Sequence, residues 1–187
     1  MAELATGHLK GVTNGAALVL GSGLGGGIII NGKLFQGSHF QAGELTFLLP
    51  LQMEKLDPSL MQETTLSAIG LITKVNEILA SLDLKDGLLA FKAINAKKEA
   101  VYPIFETYCR NLAITILNLQ TIFDMETFVL GGGISAQSIL IEEVNRHFDK
   151  VHHEIDFIGK IIKRPKIVAC HHNGTNLIGA AYFLKQG

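Results

Sequence analysis

At 187 residues, 48% of them hydrophobic and with a mean hydropathy of +0.31, the chain is long enough for one domain with its own core and apolar enough to demand extensive burial, some of it at an interface. The formal charge is −1, and the lysines and arginines are scattered rather than gathered in a basic arm or stripe, which argues against nucleic-acid binding. Two isolated cysteines, Cys109 and Cys170, sit in neither metal-ligand nor redox spacing, no apolar run is long enough to span a membrane, and the N-terminus lacks a signal-peptide core, so a reduced cytoplasmic protein is expected.

Met1 to Gly7 reads as the closing turns of a helix with Gly7 at its C-cap. Domains rarely begin on the tail of a helix, so the expectation is a chain cut from something longer. Lys10 to Asn14 is a loop, and Gly15 to Leu20 a first strand. It stops in Gly21-Ser22-Gly23-Leu24-Gly25-Gly26-Gly27, five glycines in seven positions, and the β-branched run Gly27 to Ile30 follows as a second strand. Gly21, Gly23 and Gly26 satisfy the dinucleotide fingerprint, but that mechanism needs a helix to begin inside the glycines. Here three isoleucines follow, then Asn31-Gly32, a hairpin turn, and a third strand over Lys33 to Gln36. The glycines therefore lie between antiparallel strands, where they let a ligand approach the backbone and let N–H groups converge on an anion, with the Ser22 hydroxyl as a further donor. A tight turn with a bulge would need only two or three of them, which favours phosphate binding.

Gly37 to Glu44 is a loop, Leu45 to Leu49 a short extended piece, and Pro50 to Ser59 a second loop. Apolar residues from Thr65 to Ser81 recur at helical spacing, Asp86 caps a shorter helix through Ala96, and Lys97 to Phe123 holds the longest helix, starting near Tyr102 because Pro103 suits a first turn. Thr127 to Leu130 is a strand running into Gly131-Gly132-Gly133, with Ser135 as N-cap of a helix through Phe148, so a second glycine turn and a helix N-terminus face a ligand. Val151 to Lys163 is a mixed connector, Lys166 to Ala169 a strand, and Asn173 or Thr175 opens a closing helix to Leu184. The pairs His152-His153 and His171-His172 are surface or loop residues rather than metal ligands, and no metal site is expected. The order of elements gives an α/β fold with a mixed sheet packed by helices.

Leu20-Gly-Ser-Gly-Leu-Gly-Gly-Gly-Ile28, Gly32, Gly37, Ala42-Gly43-Glu44 and Val129-Leu-Gly-Gly-Gly-Ile-Ser135 together resemble the ROK family of bacterial sugar kinases and sugar-responsive repressors, and the likeness extends over essentially the whole chain to Asn173 through Ala181. The resemblance implies the C-terminal lobe, residues 1–187, of an actin-like ATPase (ribonuclease H-like) fold, with ATP, Mg²⁺ and a sugar in the cleft between two lobes. The family's first phosphate loop and the segment bearing its catalytic aspartate have no counterpart here, so the N-terminal lobe is absent from the chain, no catalytic residue is assigned, and the isolated chain is expected to be inactive. By the same resemblance Gly21, Ser22, Gly23, Gly25 and Gly26 match the second phosphate-binding loop, Gly131, Gly132 and Gly133 the adenosine-side loop, and Glu44 a glutamate that hydrogen-bonds sugar hydroxyls. Glu63 fits a second sugar-contacting glutamate, and His39 lies in the same loop as Glu44. Phe47 and Thr46 replace the family's histidine and glycine, and Leu51 to Met61 lacks the cysteines of its zinc loop, which points to the zinc-less subgroup that includes β-glucoside kinases. The implied protein is a homodimeric carbohydrate kinase acting on a hexose or β-glucoside; the alternatives are the effector-binding lobe of a ROK repressor and a truncated dimerisation module.

Overall fold

A computed structural model describes residues 1–48, 66–154 and 156–171. In chain order the elements are α1 (Ala2–Thr6), β1 (Gly15–Leu20), β2 (Leu24–Ile30), β3 (Lys33–Phe35), a 3-10 turn (Leu45–Phe47), α2 (Ala68–Ile78), α3 (Gly87–Asn95), α4 (Tyr102–Phe123), β4 (Thr127–Gly132), α5 (Ser138–Glu154), α6 (Asp156–Ile161) and β5 (Lys166–Ala169). The strands form one mixed sheet in the order β3-β2-β1-β4-β5. β1 pairs antiparallel with β2 and parallel with β4, and β4 pairs parallel with β5.

The β2–β3 hairpin turns on Asn31 and Gly32, both at positive φ (52° and 72°), as the Asn-Gly pair requires. The alternation along β1 then sorts the sheet's faces. Ala16, Leu18 and Leu20 point into the main core with Leu24 and Ile28 of β2, against α2 to α5, while Ala17 shares the opposite face with Ile29, Val129, Leu9 and Leu4. α4 is the spine of the core: Phe105, Cys109, Leu112, Ala113 and Ile116 recur at helical spacing and are fully buried. α4 is locked to α5 by polar contacts. Tyr102 donates to Glu143 at 2.9 Å, and Arg146 reaches both Glu143 and Glu106. At the far end of α4, buried Gln120 accepts from the Met125 N–H and donates to the Lys163 carbonyl.

Gly7 closes α1 as its C-cap, in an extended conformation (φ −108°), and the Glu3 side chain fills the space where its Cβ would stand. Several other local expectations are corrected. The second strand begins at Leu24, so Gly25, Gly26 and Gly27 are ladder residues opposite Val19, Leu18 and Ala17, and the turn itself is Gly21-Ser22-Gly23. Leu45–Phe47 is a 3-10 turn rather than extended, because Leu45 turns inward to pack on Gly26. Ser135 does not cap α5: its hydroxyl donates to the Gly132 carbonyl at 2.8 Å, and the helix starts at Ser138. The stretch taken as a mixed connector is helical to Glu154 and again over Asp156–Ile161. Glu63, the stretch Leu51 to Met61 and the closing helix from Asn173 or Thr175 lie outside the described residues.

Candidate functional site

β1 and β4 lie side by side and parallel, so their carboxyl ends open at the same edge of the sheet. From there the chain turns back from β1 to β2 on one side, and β5 continues the sheet on the other. Crevices outside strand carboxyl ends, where connections diverge, are the usual ligand sites of α/β sheets. A cleft of about 480 Å³ occupies this place, lined by Leu20 and Gly21 from the first turn and by Gly133, Ile134 and Gln137 from the second. Its walls are Ala68, Ile69 and Ile72 of α2 and Leu88 and Phe91 of α3, with Asp83, Lys85 and Asp86 at the rim. That volume lies within the range of small-molecule sites.

The walls are positioned by hydrogen bonds that consume local polar groups. The Gly21 carbonyl accepts the Ala68 N–H at 2.9 Å and the Ile69 N–H at 3.4 Å, so the start of α2 holds the first turn. Ser67 caps α2 by accepting from Gly70, and Asp86 caps α3 by accepting from Leu89. Asn76, fully buried, donates to the carbonyls of Leu84 and Asp86 and so fixes the approach to α3. The start of α2 is thus spent on protein partners. Among the described residues the N–H groups of Ser22, Gly23, Gly133 and Ile134 in the turns, and of Gly87 and Leu88 at the start of α3, hydrogen-bond to nothing, whereas that of Gly21 donates to Gly23.

The glycines divide by physical role. A Cβ at Gly132, where φ is +101°, would stand 2.8 Å from the Leu20 carbonyl carbon, so the strand pairing itself demands glycine there. Gly26 and Gly43 pack backbone against backbone, a Cβ on Gly26 falling 2.8 Å from the Gly43 oxygen. That contact, with Thr46 donating to the Leu24 carbonyl at 3.0 Å, seats the Glu44 loop on β2 just past the first turn. At Gly21 and Gly133 a Cβ would meet nothing within 4 Å. The fold leaves both free to carry a side chain, and both face the cleft. Of the other sequence candidates, Gly26 and Gly131 line a second cleft of about 290 Å³ on the opposite face of the sheet, and Ser22, Gly23, Gly25 and Gly132 line neither. Glu44 and His39 are exposed side chains of the seated loop, with no partner among the described residues.

Sequence reasoning missed the apolar wall and Gln137. A signal was present at Ile69 and Leu88, apolar residues near the starts of α2 and α3 that remain 47% and 83% exposed because they face the cleft and solvent rather than the core. Glu106, Glu143 and His147 are the one group among the described residues whose spacing would suit a metal ion, but Arg146 Nη2 lies 2.7 Å from Glu106 and 2.6 Å from Glu143 and already occupies those carboxylates. Burial costs Glu143, yet its bonds from Arg146 and Tyr102 hold its carboxyl below the usual range; burial and the neighbouring guanidinium lower His147. No helix among the described residues is long and apolar enough to cross a membrane.

The chain is 29% identical to an N-acetyl-D-glucosamine kinase of Vibrio cholerae over 95% of its own length and 60% of that protein's. It is 27% identical to a β-glucoside kinase of Klebsiella pneumoniae over 100% of its length and 60% of that protein's, so it spans about three fifths of these curated relatives. The crystal structure of a ROK family protein from Streptococcus pneumoniae in complex with sucrose superposes with a TM-score of 0.80 at 28% identity, covering 100% of this chain and 63% of that one. The five-stranded mixed sheet with helices packed on it is accordingly an actin-like ATPase lobe. The ROK family model matches residues 1–187, and the chain belongs to the ROK family.

Proposed function

We propose that residues 1–187 form the nucleotide- and sugar-binding C-terminal lobe of a carbohydrate kinase that transfers the γ-phosphate of ATP to a hydroxyl of a hexose or β-glucoside. The observation that carries this is the pair Gly21 and Gly133, from two turns far apart in sequence, each with open space where a side chain would stand, both on one cleft. In this reading the N–H groups of Gly133 and Ile134, which line the cleft and have no partner among the described residues, donate to phosphate oxygens, whose charge they stabilise without reorganising. Ile69, Ile72 and Leu88 flank the base. Glu44, on the loop seated beside the first turn, accepts hydrogen bonds from sugar hydroxyls, with His39 on the same loop and Glu63 as further sugar contacts. Mg²⁺ would neutralise the phosphates, and none of the described residues is assigned to hold it. The names of the relatives support a sugar substrate and the loss of the family's cysteine loop supports the β-glucoside subgroup. A cytoplasmic homodimer belongs to the same reading.

A general base is worth about 10²- to 10⁴-fold in rate, and none of the described residues is assigned that role. Residues 1–187 by themselves are therefore expected to bind ATP and show no turnover. Calorimetric titration with ATP, alone and with glucose or a β-glucoside, tests the binding; absence of any ATP binding overturns the site. A coupled assay showing sugar phosphorylation by these residues alone overturns the assignment of catalysis to another lobe.

A further inference from the structure

We infer that Gln137 is the residue that selects the base of the bound nucleotide, reading the amino group and N7 edge of adenine and disfavouring guanine; this rests on the nucleotide reading of the cleft above. Four polar side chains line the cleft, Asp83, Lys85, Asp86 and Gln137. Asp86 is committed to the Leu89 N–H at 2.9 Å and Asp83 to the Lys85 N–H at 2.8 Å, each closing a local turn at the exposed rim. Lys85 is a point charge that offers donors alone. Gln137 differs in three ways. It is half-buried, and its carboxamide has no partner among the described residues. Its backbone is pinned at both ends, the N–H donating to Ile134 at 3.1 Å and the carbonyl accepting from Leu140 at 3.0 Å, so the side chain projects from a fixed base on the same turn as Gly133. It also carries a donor and an acceptor side by side, which is the complement of the adenine N6-amino and N7 pair.

Guanine offers two acceptors, O6 and N7, along the same edge. A carboxamide can then satisfy only one of them and sets its own oxygen against the other. A bidentate pair of this kind discriminates by about tenfold or more against the wrong base. The apolar walls supply stacking area to either purine equally, so the preference is carried by Gln137 alone.

The test is calorimetric titration of the protein and its Gln137→Leu and Gln137→Glu variants with ATP, GTP and 7-deaza-ATP, with melting curves to show that each variant is folded. The wild type is expected to prefer ATP to GTP and to 7-deaza-ATP by about tenfold. Gln137→Leu is expected to bring all three to the weak level, and Gln137→Glu, near-isosteric but lacking the donor to N7, to bring ATP down to the level of 7-deaza-ATP while still disfavouring GTP, whose two acceptors face its carboxylate. If the wild type binds none of the nucleotides, the cleft itself is misread. If it binds ATP but shows no preference over GTP and 7-deaza-ATP, or if folded Gln137→Leu keeps either preference or folded Gln137→Glu keeps the preference over 7-deaza-ATP, the cleft stands and the role of Gln137 is refuted.

Discussion

The neighbouring glycines Gly132 and Gly133 separate what the fold needs from what a ligand needs. In Gly132→Ala the new methyl would stand 2.8 Å from the Leu20 carbonyl carbon and 2.9 Å from its nitrogen, where ordinary contact begins at 3.4 Å, and both atoms belong to the central strand. Forcing a side chain onto φ +101° adds about 1–3 kcal/mol of backbone strain, and opening the β1–β4 pairing about 1–3 kcal/mol of overpacking. The sum, about 2–6 kcal/mol, is a large part of the roughly 5–15 kcal/mol by which a domain is stable. At about 2–4 °C per kcal/mol for a domain of this size, the melting temperature should fall by roughly 4–24 °C. Gly133→Ala meets nothing within 4 Å and has no left-handed φ, so its stability should stay within about 0.5 kcal/mol of wild type. Its methyl enters the cleft instead, and ATP should bind about 5- to 150-fold more weakly, the equivalent of 1–3 kcal/mol of overpacking. Differential scanning calorimetry and ATP titration of both variants decide the matter. A Gly133→Ala protein that melts as early as Gly132→Ala, or that binds ATP as well as wild type, would refute the division of roles.

Acidification should destabilise the α4–α5 junction in two stages. The folded pKa values of both His147 and Glu143 are depressed, so each contributes stability that is complete above its ordinary value, 6.5 and 4.5, and is lost as pH falls through the lower folded value. Melting temperature should be flat above pH 6.5 and decline below it, with Glu143→Gln removing the more acidic part of the decline; a profile that rises on acidification would contradict the burial of neutral His147. Arg146→Met leaves nearly buried Glu143 without its guanidinium and should cost about 2 kcal/mol in chemical denaturation, low for a buried pair because Arg146 is 48% exposed; no change would mean that water replaces the guanidinium. Gln120→Leu strands the buried Met125 N–H and should cost about 1–3 kcal/mol by the same measurement, while leaving ATP affinity unaltered because the residue lies outside the cleft.

Elements whose causes are local were legible from residue order. The Asn31-Gly32 hairpin, the Asp86 cap and the start of α4 at Tyr102 beside Pro103 follow from turn chemistry, capping and proline geometry, which act over a few residues. The ROK likeness rode on the same short glycine-rich segments. What misled was also local: the residues before Gly27 read as one loop, although Leu24 to Gly26 are already strand, because glycine marks both a turn and a place where another backbone must come close. Only the packing of the Gly43 loop on Gly26 tells the two apart. Ser135 likewise has the composition of a cap, but its hydroxyl finds the Gly132 carbonyl first.

The amino-acid order by itself determined that an alternating chain of strands and helices would carry two glycine turns, since hydrophobic period and turn preference are properties of neighbouring residues. That the turns after β1 and β4 meet at one edge, that Gly21 and Gly133 rather than Gly26 and Gly131 face the cleft, and that Gln137 stands there with its carboxamide unpartnered among the described residues were decided by tertiary structure. The physical reason is that which face of a strand a residue presents depends on register, and register is set by partners more than a hundred residues away in the chain.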